Sequence, residues 1–202
     1  WEAELAGIVW EQADFTALDI GSSYGIFSAL LKAEYPRSGS ILVDFPEQLL
    51  LAYYFLGTWF PQARIAGVRE LASCDRITRQ ALQAYDFLLV PCPWYERLTP
   101  GTADVVTNFA SLGEMQRSWF DYYMNAAVFT SARYFFTVNR FQSRPTYDTD
   151  LTILDYPVWE PSKRLHFAIC PAFSHTYRRR RLVSYEKDVY TSQYFEYIGA
   201  VA

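Results

Sequence analysis

"ALDIGSSYGIFSALL", residues 17–31, decides how the rest of the chain is read. An apolar run closes at Ile20, and two glycines follow, Gly21 and Gly25, with Ser22, Ser23 and Tyr24 between them. A run with helical spacing then continues from Ile26 to Tyr35, where Pro36 stops it. Strand, tight turn and helix in this order form the first unit of an alternating α/β chain. In an open parallel sheet, ligands bind beyond the carboxyl ends of the strands, near the point where strand order reverses. Glycine at such a turn lets the backbone approach a ligand closely.

A dinucleotide fingerprint would need glycine at two positions that hold Ser23 and Ile26, and a P-loop would need a Lys-Ser or Lys-Thr pair. A nicotinamide-dependent oxidoreductase is therefore the lesser alternative. What stands instead is D-x-G-x-S-x-G, on Asp19, Gly21, Ser23 and Gly25. The second apolar run, "SILVDF" (40–45), ends in Asp44, where a carboxylate can accept both hydroxyls of a ribose. A cap for the helix that starts at Pro46 is its other reading.

Outward from this unit the alternation continues. "EQLLLAYYFLGTW" reads as a helix, "ARIAGV" as a minor strand, and "DFLLV" (86–90) as a strong strand closed by Pro91-Cys92-Pro93. "DVVTNF" (104–109) and "RYFFTVNR" (133–140) are further strands, separated by helical periodicity over "GEMQRSWFDYYMNAAVFTSA". The expected fold is a Rossmann-like three-layer α-β-α sandwich with a mostly parallel sheet. After Arg140, "LTILDYPVW", "RLHFAICPAF" and "SQYFEYIGAV" read as antiparallel strands that finish the sheet. One domain of 202 residues is expected, with an amphipathic helix over 1–13 (Trp1, Leu5, Ile8, Val9), a cofactor-binding core over 14–140 and a sheet-completing part over 141–202. The chain opens on Trp1, and a piece of a longer protein is expected.

Composition narrows the function classes. An apolar fraction of 51% with 18% aromatic residues excludes a disordered chain. A formal charge of −4 gives no footprint for nucleic acid, and the one basic run, Arg178–Arg181, reads as a solvated loop or a contact for an acidic substrate. No run reaches the length of a membrane span. Cys74, Cys92 and Cys170 have neither metal nor redox spacing, which fits reduced thiols in a cytoplasmic protein. No ligand spacing points to a metal; Asp148, Asp150 and Asp155 form only a loose acidic group.

The D-x-G-x-S-x-G turn resembles the first motif of class I S-adenosylmethionine-dependent methyltransferases, with Ser23 at the usual middle glycine. Three further stretches, 43–61, 104–115 and 133–140, are similar to the sugar O-methyltransferase family, through Asp44-Phe45-Pro46-Glu47 and Ser111-Leu112-Gly113-Glu114-Met115. The resemblance covers roughly residues 15–142 and implies S-adenosyl-L-methionine as cofactor and a hydroxyl of a sugar or glycoside as acceptor. A methyltransferase-like module that only binds is the alternative. In the resemblance, Asp19 holds the cofactor's ammonium, the N–H groups of Gly21, Ser22, Ser23, Tyr24 and Gly25 meet its carboxylate, and Asp44 and Phe45 meet the ribose. Pro91, Cys92 and Pro93 lie where adenine could rest, with Trp94 and Tyr95 beside them, and Asn108 could reach the methionine end.

Methyl transfer to a hydroxyl needs a positioned base. Glu114, expected to begin a helix after the fourth strand, is the leading candidate, with His166 and His175 as rivals. Ser111, Met115, Tyr123, Asn139 and Arg140 are expected to face the acceptor. Of Trp119, Tyr122 and Tyr123, some rings must be core and others could meet a sugar face.

Overall fold

A computed structural model describes residues 14–144, 147–172, 174–179 and 188–201. The helix expected over 1–13, and Arg180 and Arg181 of the basic run, lie outside the described residues. The central strands are β1 (Thr16–Ile20), β2 (Gly39–Asp44), β4 (Phe87–Pro91), β5 (Val105–Phe109) and β6 (Tyr134–Arg140). Each is an almost unbroken run of buried residues, as a strand covered on both faces requires. With the short β3 (Ile65–Ala66), β7 (Arg164–Ile169) and β10 (Tyr194–Ala200), they form one eight-stranded sheet in the order β3-β4-β2-β1-β5-β6-β10-β7. The β1–β2, β1–β5, β2–β4, β3–β4 and β5–β6 pairs are parallel, and β10 runs antiparallel to both β6 and β7. Strand order reverses between β1 and β5, so the turns after these two strands meet at the same edge.

Helices cover both faces. α1 (Ile26–Glu34) and α2 (Pro46–Trp59) press Ala29, Leu49, Ala52 and Leu56 against Leu42, Phe87 and Leu89. On the other face, Leu71 of α3 (Val68–Leu71), Phe120 and Tyr123 of α5 (Arg117–Met124) and Val128 and Phe129 of α6 (Ala127–Thr130) pack on Ile20, Val43, Val90 and Phe135. Between α3 and β4 lies the single-turn α4 (Ala81–Ala84). Pro46 opens α2 at its first position with Glu47 in the first turn, the arrangement that fixed proline φ and the helix dipole favour.

Two expectations are corrected, and one further element is found. The helical periodicity from Gly113 onward is interrupted: Leu112–Glu114 form a 310 turn, and helix begins only at Arg117. Gly113 N–H donates to Asn139 Oδ1 (3.0 Å) and Ser143 Oγ donates to Gly113 O (2.6 Å), so tertiary bonds claim the backbone that a helix would use. "LTILDYPVW" is not a strand but two 310 turns, Ile153–Asp155 and Pro157–Trp159, the first capped by Thr152 and the second opened by Pro157. Between β7 and β10 the chain also forms a separate hairpin, β8 (His175–Arg179) with β9 (Asp188–Ser192).

The entry to α1 is conformationally demanding. Gly25 has φ +85°, and a Cβ there would stand 2.9 Å from Leu42 Cδ2. Ser23 holds φ +52° although it carries a side chain. Opposite responses are expected at these two positions. Gly25→Ala should lower stability by about 1–3 kcal/mol through left-handed strain and overpacking, whereas Ser23→Gly should be neutral or stabilising by up to about 1 kcal/mol; urea denaturation of the two variants checks both signs.

Candidate active site

At the β1/β5 crossing the chain leaves a cavity of ≈ 580 Å³, within the range of small-molecule sites. Its wall comes from three places. The first turn contributes Gly21 and Ser23, with Val43 and Asp44 from β2 and Phe45 and Gln48 from the start of α2; Cys92 comes just after β4; and the end of β5 and the segment after it contribute Phe109 to Ser111, Glu114, Met115, Trp119 and Tyr123. Of the residues expected from sequence, Gly21, Ser23, Asp44, Phe45, Cys92, Ser111, Glu114, Met115 and Tyr123 are thus brought to one cavity.

The cradle is built by close approach. Gly21 has φ +70°, and a Cβ there would fall on the Ser111 side chain. The turn after β1 and the turn after β5 can touch only because this residue is glycine. The Ser111 hydroxyl donates to Ile20 O (3.1 Å), which fastens the contact.

Asp44 stands half-buried at the end of β2, with Oδ2 accepting from Ser23 N–H (2.6 Å) and Oδ1 from Phe45 N–H (2.7 Å). Burial raises its pKa, and the same two N–H bonds oppose the shift. Each carboxylate oxygen keeps acceptor capacity beyond its one backbone bond. The turn's own N–H groups are less open than expected. Gly21 and Ser22 N–H bond Val43 O, Ser23 N–H bonds Asp44 and Gly25 N–H bonds Ser22 O, so these four donate inward rather than to a ligand. The Ser22 hydroxyl is buried without a hydrogen-bond partner among the described residues.

Glu114 lines the cavity from the 310 turn. Its Oε1 accepts from Arg140 Nη1 at 2.6 Å, and burial together with the nearby Glu114 carboxylate raises the pKa of the Tyr147 hydroxyl. Arg140 is buried, with its guanidinium 5.3 Å from the Tyr147 ring centre and 5.0 Å from that of Tyr194.

Several expected site residues lie elsewhere. Asn108 and Asn139 are fully buried and bonded to each other (Asn139 Nδ2 to Asn108 Oδ1, 2.6 Å), so they brace the site from below and do not line it. Arg140 reaches Glu114 rather than the cavity itself. Asp19 is buried beneath the turn, where Thr107 Oγ1 donates to its Oδ1 (2.9 Å). Tyr24 turns its ring onto Phe55, Gly25 packs on Leu42, and Pro91 and Pro93 shape the strand end without entering the wall. Trp94 lies under Arg97, and Tyr95 is core.

His166 is the clearest correction among the base candidates. It sits on the outermost strand β7, with β10 and β6 between it and β5, and its Nε2 meets Glu196 Oε1 at 2.8 Å. His175 falls on the separate β8. Of the loose acidic group, Asp150 and Asp155 pair with Arg117. Val43, Gln48, Phe109 and Ala110 were not anticipated as wall residues. Gln48 was legible in principle, because it lies in the first turn of the helix that follows Asp44.

No protein-family model matches the chain, and no curated protein matches it. Its fold is similar to solved structures. A proposed sarcosine dimethylglycine methyltransferase of Galdieria sulphuraria superposes with a TM-score of 0.63 at 10% identity, covering 100% of this chain and 83% of that one. A proposed methyltransferase of Bacillus halodurans gives 0.62 at 10% identity, covering 98% and 97%. An O-methyltransferase family 2 protein of Planctomyces limnophilus, in complex with apigenin, gives 0.51 at 13% identity, covering 98% and 53%. The architecture is therefore the Rossmann-like fold of these methyltransferases, as expected from the alternating pattern.

Burial pushes the Asp19 carboxyl up to about 7; the Thr107 hydrogen bond opposes the shift, and the Asp44 charge adds to it. Because the folded value exceeds the unfolded one, this residue's contribution to stability is complete below about pH 4 and declines as pH rises to about 7. Asp19→Asn should remove that dependence. The wild type should lose up to about 1.4 kcal/mol per pH unit relative to the variant across this window, read from urea midpoints between pH 4 and 8.

Proposed function

We propose that the protein is an S-adenosylmethionine-dependent O-methyltransferase acting on a hydroxyl of a sugar or glycosylated metabolite. The observation that carries this reading is the opening of two carboxylates into one largely apolar cavity at the strand-order reversal: Asp44 from β2 and Glu114 from the turn after β5. The fold of the solved neighbours agrees with it, and the sugar class rests on the resemblance of residues 15–142.

The residues present fit the cofactor. Asp44, already oriented by two backbone N–H groups, has acceptor capacity for a vicinal diol. Val43, Phe45, Cys92 and Tyr123 offer an apolar wall for a base. The close approach at Gly21 leaves the turn open to the amino-acid end, and the buried Asp19 behind it is a carboxyl that a nearby ammonium would draw into its charged form. When bound, the cofactor supplies an electrophilic methyl group. Glu114 accepts the proton of the acceptor hydroxyl as its oxygen attacks, while Arg140 holds the carboxylate in place. The Trp119 and Tyr123 rings bound the cavity with the flat apolar surfaces on which sugar faces stack.

Calorimetry with S-adenosylmethionine, S-adenosylhomocysteine and NAD tests the cofactor. Both adenosyl compounds should bind, and Asp44→Ala should weaken them roughly 10- to 100-fold; binding of NAD alone would overturn the reading. Transfer of labelled methyl to a panel of nucleotide sugars and glycosides tests the acceptor. Glu114→Gln should lower turnover on the order of 10²- to 10⁴-fold with cofactor affinity unchanged, and retained turnover would remove Glu114 as the base.

A further inference from the structure

The wall of the cavity carries charge of one sign. Asp44 and Glu114 open into it, and among the described residues no Lys, Arg or His belongs to it. The cations close by are already taken. Arg140 is buried behind the wall with Nη1 on Glu114 Oε1 at 2.6 Å. Arg117, just beyond Met115 in the chain, pairs with Asp150 and Asp155. Backbone donors around the glycine turn are taken as well: the N–H groups of Gly21, Ser22, Ser23 and Gly25 donate inward, and that of Phe45, at the start of α2, bonds Asp44. Glu47 adds a carboxylate to the first turn of α2, where the helix dipole would otherwise draw an anion. Besides Glu114, the end of β5 and the segment after it contribute Phe109, Ala110, Met115 and Trp119 to the wall, and a Ser111 hydroxyl already bonded to Ile20 O. The rings of this surface are held in place. Phe109 packs on Phe27 at 4.6 Å and edge-on to Phe136 at 5.1 Å, and Trp119 stands edge-on to Tyr122 at 5.4 Å.

Given the proposed methyl transfer, on which this rests, we infer that the acceptor is an uncharged glycoside carried on an apolar aglycone, and that nucleoside diphosphate sugars and sugar phosphates are excluded. Charge sets the exclusion. Arg140 balances Glu114, and the cofactor, a sulfonium with one ammonium and one carboxylate, brings a net positive charge that offsets Asp44. An uncharged acceptor leaves this balance intact. A pyrophosphate would enter an apolar cavity that already holds two carboxylates, with neither a guanidinium fork nor an ammonium in the described wall to meet it. Apolar surface sets the preference. Phe109, Ala110 and Met115 offer sugar hydroxyls no side-chain donor, so the group that they bury well is carbon-rich, an aglycone beside the sugar ring. The flexible thioether of Met115 adapts to such a group, and the flat ring of Trp119 takes the face of a sugar or of an aromatic aglycone.

Transfer of labelled methyl to matched acceptors tests this. Octyl and p-nitrophenyl glycosides of glucose, galactose, mannose and rhamnose are compared with the methyl glycosides, 1-phosphates and nucleoside diphosphate derivatives of the same sugars. For a sugar that is methylated, the octyl or nitrophenyl glycoside should exceed the methyl glycoside about tenfold or more in kcat/KM. The phosphate and nucleoside diphosphate forms should fall about 100-fold or more below it. Met115→Lys, which places a cation in the wall, should narrow the gap between neutral and phosphorylated forms about tenfold or more. Binding of S-adenosylhomocysteine is measured alongside. A protein that binds it and methylates nucleoside diphosphate sugars as readily as glycosides, or prefers methyl glycosides to the octyl and nitrophenyl ones, overturns this inference and leaves the proposed function standing. Loss of the nucleoside diphosphate sugar activity in Arg178→Ala/Arg179→Ala would then assign the anion to the basic run on β8. An unchanged gap in Met115→Lys with S-adenosylhomocysteine binding intact overturns the inference as well. A protein that binds no adenosyl compound, or transfers methyl to no sugar, overturns the proposed function and this inference with it.

Discussion

Two buried amides hold the site end of the sheet together. Asn108, in β5, donates to Ile20 O of β1 (2.6 Å) and accepts from Leu112 N–H and from Asn139 Nδ2. Asn139, in β6, also donates to Thr137 Oγ1 and accepts from Gly113 N–H. Through these bonds three parallel strands and the 310 turn bearing Glu114 share one set of donors and acceptors. A buried amide left unpaired costs about 1–3 kcal/mol, so the network has one satisfied arrangement, and that arrangement fixes where the cavity wall lies.

Around this brace the acids differ in setting rather than in kind. Asp19 is enclosed and meets a neutral hydroxyl; Asp44 is half-open and meets two backbone N–H groups; Glu114 is open to the cavity and meets a guanidinium. Distance from the sheet's interior grades them, from a carboxyl that resists ionisation to one held beside a fixed cation. The protein thereby places three identical functional groups at one edge with three different chemistries.

Much of the fold was legible because its strands are uninterrupted apolar runs with unambiguous ends: Gly21 after β1, Pro46 after β2, Pro91 closing β4. Where the reading failed, tertiary hydrogen bonds outweighed local periodicity. The residues from 113 onward have the spacing of one helix, but Asn139 and Ser143, about thirty residues away in the chain, hold Gly113 out of it. The strand-end rule likewise located Asp44, Asn108, Asn139 and Arg140 at the correct edge. It could not tell that the two asparagines bond sideways to neighbouring strands while Asp44 turns to the cavity. That difference is one of side-chain direction, which a linear pattern does not encode. Trp119 and Tyr123 emerged from the aromatic run 119–123 for a related reason: helix phase assigns faces only once the helix start is known, and the start moved to Arg117.

The position of β10 has a consequence for how the molecule is made. It is the last strand in sequence but lies between β6 and β7 in the sheet, pairing over its whole length with Tyr134–Arg140. At roughly 5–20 residues per second, a ribosome takes several seconds to travel from Arg140 to Ala200. Throughout that interval β6 is an open edge whose backbone donors and acceptors await their antiparallel neighbour. Nascent chains at this stage would present the unpaired, phenylalanine-rich edge from which strand-exchange aggregates grow, and the sheet closes only when the final stretch of the domain has cleared the tunnel.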